Sequence, residues 1–174
     1  MPLSVSESLS LTEFQRSDIP ALCQFLVDED IYRSLLRVPR PYTQADAEKW
    51  LSLVEEDKSQ GRPVLKWAIR EEDQLIGGIG LEIAASQPHR AELGYWLAKP
   101  FWNRGIMTAV IPVLCRHSFE TLGLAKVTAN VFSFNLSSAR VLEKCGFERE
   151  GFLRRHYLKD GEFIDSMVFG RLRG

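Results

Sequence analysis

In the amino-terminal part of the chain, apolar residues recur first at the spacing of a strand and then at the spacing of helices. The pattern predicts a strand that contains Leu9 and Leu11. It then predicts a helix that begins at Ser17-Asp18-Ile19-Pro20, because a cap residue followed by an early proline marks a helix start. A charged amphipathic segment opened by Thr43 predicts a second helix that runs toward Gly61.

The middle of the chain changes to runs with the composition of strands. Three runs that begin at Val64, Leu75 and Ala91 are separated by turn residues at hairpin spacing, and they predict an antiparallel meander. A long helix from Ile106 to Leu122 follows, in which Pro112 must cause a kink or be accommodated by a local break.

The carboxyl-terminal part predicts a strand, a helix and a final hairpin. The strand covers 125–132, and the helix runs from Asn135 to Lys144 and stops at Gly146, as helices often do at glycine. Two late strands, 147–158 and 163–172, flank the turn Lys159-Asp160-Gly161. Strands and helices in this order, without an internal repeat, predict an α+β layer architecture.

The composition is that of one globular domain without a membrane segment. Of the 174 residues, 45% are hydrophobic and 26% are charged. A domain of this size buries roughly 70% of the surface of its unfolded chain, so one core suffices and a single domain over 1–174 is expected. The apolar run of about 18 residues that a membrane helix needs is missing. The net charge of -1 provides no field that would attract phosphate backbones, so neither a membrane nor a nucleic acid is an expected partner.

Cysteine and histidine usage indicates the compartment and the metal content. The three cysteines, Cys23, Cys115 and Cys145, have no CxxC spacing, and the three histidines lie far apart in the sequence. We therefore expect no metal site and a reducing compartment. The amino terminus lacks the basic and apolar regions of a secretory signal, so a cytoplasmic location is expected.

The segment from Tyr95 to Ala109 carries the strongest chemical signal, because a strand there passes through a short loop into a helix. The first turn of a helix presents unpaired backbone N–H groups, and the helix dipole favours an anion at that end. Gly105, immediately before the helix, lacks the Cβ that would keep a pyrophosphate away.

This segment resembles the coenzyme A loop of GNAT acetyltransferases, whose pattern is Gln/Arg-x-x-Gly-x-Gly/Ala. Gly105 matches the central glycine, whereas Trp102 stands at the first position and Met107 at the last. The segments 93–97 and 102–108 are similar to the branch of RimJ and RimL ribosomal-protein acetyltransferases, in which an aromatic residue commonly replaces Gln or Arg. The resemblance implies that acetyl-coenzyme A is the cosubstrate and that the following residues bind it: Trp96, Leu97, Trp102, Asn103, Arg104, Gly105, Ile106, Met107 and Thr108.

A second block extends the resemblance over nearly the whole chain. The segment 135–151 is similar to the Asn-x-x-Ser helix and Gly-Phe strand of the same branch, and it lies about thirty residues downstream, where the family has it. The family implies a GNAT fold, with a mixed, mostly antiparallel, twisted sheet splayed between strands four and five. Those strands correspond to 92–97 and 126–132, with coenzyme A in the cleft between them.

The reaction requires a base, because an amine is mostly protonated at neutral pH and cannot attack a thioester in that form. Glu92 on strand four is the candidate, and a bulge would account for its offset of one position from the family's glutamate. Backbone N–H groups of Trp96 or Leu97 are candidates for stabilising the oxyanion. The resemblance implies that Ser138 lies near the departing sulfur and that Asn135 holds the pantetheine arm.

Simpler interpretations of these residues stay open. Glu92 can be a solvated carboxylate paired with Arg90 or Lys99, with Glu82 as the next candidate base. Ser138 can be an early-helix serine and Asn135 an N-cap. The buried position expected for Cys145 excludes it as a nucleophile.

At the level of function, the prediction is an N-acetyltransferase that forms a ternary complex in which the amine attacks directly. The alternatives are a coenzyme A-binding regulatory module without catalysis and a transferase of another acyl group. The acceptor is a protein N-terminus or a small-molecule amine, and residues 28–60 are expected to border its site. Both a monomer and a homodimer are compatible with the sequence.

Overall fold

The structure is a computed structural model that describes residues 2–60 and 65–174. The predicted helix end at Gly61 and the predicted strand start at Val64 lie outside these residues. The strands are β1 Leu3–Ser4, β2 Leu9–Thr12, β3 Lys66–Glu71, β4 Gln74–Glu82, β5 Arg90–Leu97, β6 Lys126–Phe132, β7 Glu148–Lys159 and β8 Glu162–Leu172. The α-helices are α1 Ile19–Phe25, α2 Glu29–Ser34, α3 Gln44–Ser59, α4 Ile106–Glu120 and α5 Leu136–Lys144.

The strands form one sheet in the order β1-β2-β3-β4-β5-β6-β8-β7. β5 and β6 pair in parallel, whereas β2 with β3, β3 with β4, β6 with β8 and β7 with β8 are antiparallel. The parallel ladder joins Arg90–Glu92 to Lys126–Thr128 and ends there, although β5 continues to Leu97. The predicted α+β class with a mixed, mostly antiparallel sheet is confirmed.

The chain divides into two compact units, each made of segments that contact one another more than they contact the rest. The first unit contains Met1–Gly80 and Tyr95–Arg104, and the second contains Leu81–Gly94 and Gly105–Gly174. In the part of the chain that the structure describes, none of the helices has both the length and the apolar character needed to cross a membrane.

The core of the first unit lies between its helices and the strands β3 and β4. Leu22, Leu51 and Leu75 are among its buried side chains, and Trp96 packs against them. Glycines in β4 make room for Trp96: a Cβ added at Gly77 would lie 2.6 Å from the Trp96 carbonyl oxygen. The glycine run in β4 therefore serves close packing within the sheet.

The start of α1 differs from the prediction in how its acidic cap residue is used. Asp18 does precede the helix, but its side chain caps no α1 amide. Its carboxylate instead accepts two hydrogen bonds from the Arg70 guanidinium, at 2.9 Å and 2.8 Å, and both side chains are buried. The predicted cap is thus one half of a buried ion pair, because the carboxylate neutralises a cation that β3 brings into the interior.

The helix α2 was missed by the sequence pattern because its six residues are too few to show a periodicity. Its start is nevertheless well capped, since the Asp28 carboxylate accepts from the N–H groups of Asp30 and Ile31. The longer helix α3 was predicted, and Thr43 and Asp46 form a capping box at its start.

The core of the second unit is formed by α4, α5 and the inner strands, with Phe169, Ile111 and Leu142 fully buried. Pro112 lies inside α4, yet the helix is continuous. Proline has no N–H to donate to the carbonyl four residues earlier, which is that of Thr108. That carbonyl accepts from the Cys145 thiol at 3.8 Å, so a side chain on α5's end replaces the missing helical bond.

The predicted final hairpin is confirmed. β7 and β8 are joined by Asp160 and Gly161, whose φ angles of 53° and 81° fit a two-residue turn with both residues left-handed. The predicted stop of α5 is also confirmed, because Gly146 after the helix has φ 78°.

Candidate active site

The loop after β5 is fixed within the first unit by side chains at both of its ends. Residues Lys99–Phe101 form a 3-10 turn, and the Lys99 ammonium pairs with the Asp30 carboxylate. The Trp102 indole N–H donates to the Leu97 carbonyl oxygen at 2.7 Å. Trp102, which departs from the family pattern at the first motif position, therefore closes the loop onto the strand that precedes it.

Arg104 is held by an ion pair with β3. Its two terminal nitrogens donate to the two carboxylate oxygens of Glu71 at 3.1 Å and 2.7 Å, and its guanidinium lies 5.5 Å from the centre of the Phe101 ring. Glu71 was missed as a site residue, because its separation of 33 positions from Arg104 gives no local signal in the sequence.

In the second unit, the start of α4 presents free amides. The first helical hydrogen bond runs from Ala109 N–H to the Gly105 carbonyl. The N–H groups of Gly105 to Thr108 donate to none of the described residues. Gly105 itself has φ 74°, and a Cβ added there would meet no atom within 4 Å. The predicted geometry of an anion-binding helix start is thus present, with open space on the side of the missing Cβ.

Glu92 lies at the last paired position of the parallel ladder, opposite Thr128. Its side chain is exposed, and the described residues offer it no ion-pair partner. Lys99, one of its two suggested partners, pairs with Asp30 instead. Glu92 is therefore an exposed carboxylate without an ion pair among the described residues.

The end of β5 distinguishes between the two candidate oxyanion donors. The Ala98 N–H donates to the Ile76 carbonyl on β4, and N–H directions alternate along an extended strand. The Trp96 N–H thus points toward β4 and the Leu97 N–H points away from it. The same alternation appears in the carbonyls, since that of Trp96 faces Gly77 and that of Leu97 accepts from the Trp102 indole.

The start of α5 brings together the two residues of the Asn-x-x-Ser motif. The Asn135 side-chain oxygen accepts from the Ser138 N–H at 3.1 Å, so Asn135 is the N-cap of this helix. Both side chains are partly exposed. The cap interpretation of Asn135 is correct, and the remaining amide nitrogen of its side chain is still able to donate to a ligand.

The buried cysteines are chemically quiet. Burial raises the pKa of the Cys145 thiol, and it raises the pKa of Cys115 to about 11. A raised pKa keeps the sulfur protonated at neutral pH, whereas a nucleophilic cysteine needs its thiolate. This agrees with the exclusion of Cys145 as a nucleophile. The described ranges 2–60 and 65–174 also contain no group of three potential metal ligands.

A small cavity in the first unit lies within the region expected to border the acceptor. Tyr32 and Tyr42 contribute aromatic walls, and Arg40 lies 5.1 Å from the Tyr32 ring centre while it pairs with Glu29. Partial burial raises the pKa of Tyr42 to about 12, so its hydroxyl stays protonated. The cavity offers apolar and aromatic surface with one cation at its rim.

Comparisons with known proteins identify the class of protein to which this chain belongs. The sequence model of the family described as "Acetyltransferase (GNAT) domain" matches residues 8–148. The chain therefore belongs to the GNAT acetyltransferase family, and the predicted acetyltransferase activity class is confirmed. Enzymes of this family use acetyl-coenzyme A.

Individual relatives support the same class. An uncharacterized N-acetyltransferase of Bacillus subtilis (strain 168), YoaA, is 36% identical over 107 residues, which are 60% of this chain and 60% of that protein. The L-amino acid N-acetyltransferase AaaT of Escherichia coli (strain K12) is 23% identical over 90% of this chain and 93% of its own length. The match to YoaA thus spans under two thirds of that relative, whereas the match to AaaT is nearly complete.

Solved structures share the fold. RimL, a ribosomal L7/L12 alpha-N-protein acetyltransferase in complex with coenzyme A, superposes with a TM-score of 0.87 over 99% of this chain and 98% of that chain. The identity is 21%, so the likeness concerns the fold alone. The predicted GNAT fold is confirmed.

Proposed function

We propose that this protein is a cytoplasmic, acetyl-coenzyme A-dependent N-acetyltransferase that transfers the acetyl group to a primary amine by direct attack in a ternary complex. The observation that carries the proposal is the start of α4, where four successive amides, from Gly105 to Thr108, have no acceptor within the described chain. The family match runs without interruption through residues of both units, which supports a single GNAT domain over 1–174.

The residues around Gly105 fit a pyrophosphate. Four N–H groups at a helix start favour an anion, and the open space next to the Gly105 Cα permits close approach. The Arg104 side chain is engaged by Glu71, so we assign the binding role of 103–108 mainly to backbone amides. Asn135 would hold the pantetheine arm through its side-chain amide.

The bound cosubstrate supplies an activated acetyl thioester, and the chain's own residues must manage protons and charge. Glu92 is the proposed base, because its carboxylate is exposed and unpaired at the point where the β5–β6 ladder ends. It would take a proton from the ammonium group of the acceptor, directly or through a water molecule, so that the resulting amine can attack.

Two further groups complete the proposed chemistry. Of the two oxyanion candidates, we assign the Leu97 N–H, since it points away from β4 whereas that of Trp96 points toward it. Ser138 would donate a hydrogen bond to the departing sulfur from the first turn of α5. The Leu97 assignment uses a backbone N–H whose direction is set by the strand, and the Ser138 assignment uses the hydroxyl at the serine position of the Asn-x-x-Ser motif.

The acceptor is proposed to be a protein N-terminus or a small amine. RimL is named for an alpha-amine of a ribosomal protein and AaaT for L-amino acids. Both are primary amines on a carbon next to a carbonyl group, which defines a common chemical class for the first acceptor panel.

The test is free-thiol release from acetyl-coenzyme A by purified protein, with peptides that begin with Ser or Ala, free L-amino acids, polyamines and aminoglycosides as acceptors. Acceptor-dependent release is expected for at least one class. Calorimetry with coenzyme A is run in parallel. Absence of coenzyme A binding would refute the proposal, and binding without turnover on any acceptor would favour a regulatory module.

The proposed base is tested by Glu92→Gln, which keeps the shape of the side chain and removes its basicity. We expect kcat to fall by about a hundredfold or more, with unchanged affinity for coenzyme A. Glu82→Gln is the matched control, because Glu82 is an exposed strand carboxylate and the next candidate base. A larger effect of Glu82→Gln than of Glu92→Gln would move the base to β4.

A further inference from the structure

The ion pair between Glu71 and Arg104 joins strand β3 to the loop that precedes α4. Both carboxylate oxygens and both terminal guanidinium nitrogens take part, at 2.7 Å and 3.1 Å. A bidentate pair of this kind fixes direction as well as distance, because the two planar groups must face one another. The contact lies entirely within the first unit.

The backbone around Arg104 explains why such a contact is needed. Asn103 has φ 60° and Gly105 has φ 74°, so both neighbours of Arg104 adopt the left-handed conformation. Residues other than glycine are disfavoured there, and an isolated loop would leave it for more favourable conformations. The Arg104 guanidinium is further restrained by the Phe101 ring. Side-chain contacts therefore hold a backbone conformation that the sequence alone does not favour.

The geometry points to Glu71 as a positioning residue for the cofactor loop: by holding Arg104, it fixes the conformation of the residue directly before Gly105. This inference rests on the proposed function, since it takes 103–108 as the loop that binds coenzyme A. The pair lowers the cost of ordering the loop when the ligand binds, which is how preorganisation increases affinity. Glu71 itself touches no reacting atom.

A positioning role of the pair and simple electrostatics predict opposite changes in coenzyme A affinity when Glu71 loses its charge. Coenzyme A is an anion, so removal of the negative charge of Glu71 and release of the Arg104 guanidinium would by themselves strengthen binding. If the pair positions the loop, its removal weakens binding instead. The sign of the change in affinity for Glu71→Gln therefore separates positioning from charge, whereas loss of the Arg104 cation lowers affinity on either account.

The experiment measures coenzyme A binding by calorimetry and acetyl transfer by thiol release for Glu71→Gln, Arg104→Met and the double variant. We expect each single variant to weaken coenzyme A binding by about fivefold, the upper end for an exposed ion pair. For Glu71→Gln, KM for acetyl-coenzyme A should rise by a similar factor, with kcat at saturation unchanged. The double variant should be no weaker than the weaker single variant, because both remove the same contact.

The matched control is Glu55→Gln, which breaks the equally bidentate pair of Glu55 with Arg16 elsewhere in the first unit. Affinity for coenzyme A should not change in this variant. Tighter or unchanged binding by Glu71→Gln would overturn the inference, whatever the affinity of Arg104→Met. Failure of the unmodified protein to bind coenzyme A would instead refute the proposed function.

Discussion

Replacement of Gly105 by alanine tests the cofactor loop with an internal standard. The residue has φ 74°, and a Cβ would meet no atom within 4 Å. The expected loss of stability is therefore the conformational cost alone, about 1–2 kcal/mol for an L-residue in the left-handed region. In a domain of this size each kcal/mol lowers Tm by about 2–4 °C.

Gly123 supplies the standard, because it matches Gly105 in its positive φ, its unit and the open space around an added Cβ. Its φ is 68°, it belongs to the same unit, and a Cβ there also meets no atom within 4 Å. It follows α4, whereas Gly105 precedes that helix. Gly123→Ala should therefore lower Tm as much as Gly105→Ala does and leave the cofactor site intact.

Coenzyme A should distinguish the two variants. The added methyl group of Gly105→Ala projects into the open space where we expect the pyrophosphate to approach the α4 amides, so affinity should fall by at least about tenfold, or about 1.4 kcal/mol. Calorimetry measures this directly. Thermal unfolding with coenzyme A gives an independent value, because a ligand at about 100 times its Kd stabilises the folded state by about 2.7 kcal/mol.

The reasoning fails if Gly105→Ala and Gly123→Ala bind coenzyme A equally well. Such a result would mean that the α4 start is an ordinary helix terminus and that the ligand is held elsewhere. If the two variants lose very different amounts of stability without ligand, the left-handed backbone conformation would not be the main cause of that loss. The measured affinities would then need correction for the fraction of unfolded protein.

Two other predictions concern the folded state. Asp18→Asn removes one charge of the buried pair with Arg70, so urea unfolding should report that the free energy of unfolding falls by about 3–5 kcal/mol. Glu55→Gln, in the exposed pair with Arg16, should change stability little. A small loss for Asp18→Asn would contradict the description of the pair as buried. Since burial raises the pKa of Cys115 to about 11, iodoacetamide should label this thiol at pH 8 only in unfolded protein, and mass spectrometry that finds rapid labelling of the native protein would contradict its burial.

Much of the fold could be predicted because its elements carry local signals. The alternation in β2, the capping box at Thr43, the glycine after α5 and the two-residue turn of the final hairpin all act over a few residues, and each appears where the sequence indicates. The start of α4, with its free amides, also belongs to this group, since a strand, a glycine and an apolar helix in succession predict it. Short α2 gave no periodicity to detect.

The long-range ion pairs, one at the candidate site and one in the core of the first unit, could not be predicted, because they join residues far apart in the sequence. Glu71 and Arg104 are 33 positions apart and Asp18 and Arg70 are 52 apart, so no local pattern links them.

The departure of Trp102 from the family pattern shows how such contacts change the interpretation of a motif. In the sequence, Trp102 stands where the pattern Gln/Arg-x-x-Gly has Gln or Arg, so it weakens the match. In the structure its indole N–H closes the loop by donating to the Leu97 carbonyl, while the adjacent Leu97 N–H points away from β4 toward the side that we assign to the oxyanion. Trp102 therefore holds the loop against the end of β5 by a hydrogen bond to the backbone, a contact that the motif pattern alone does not show.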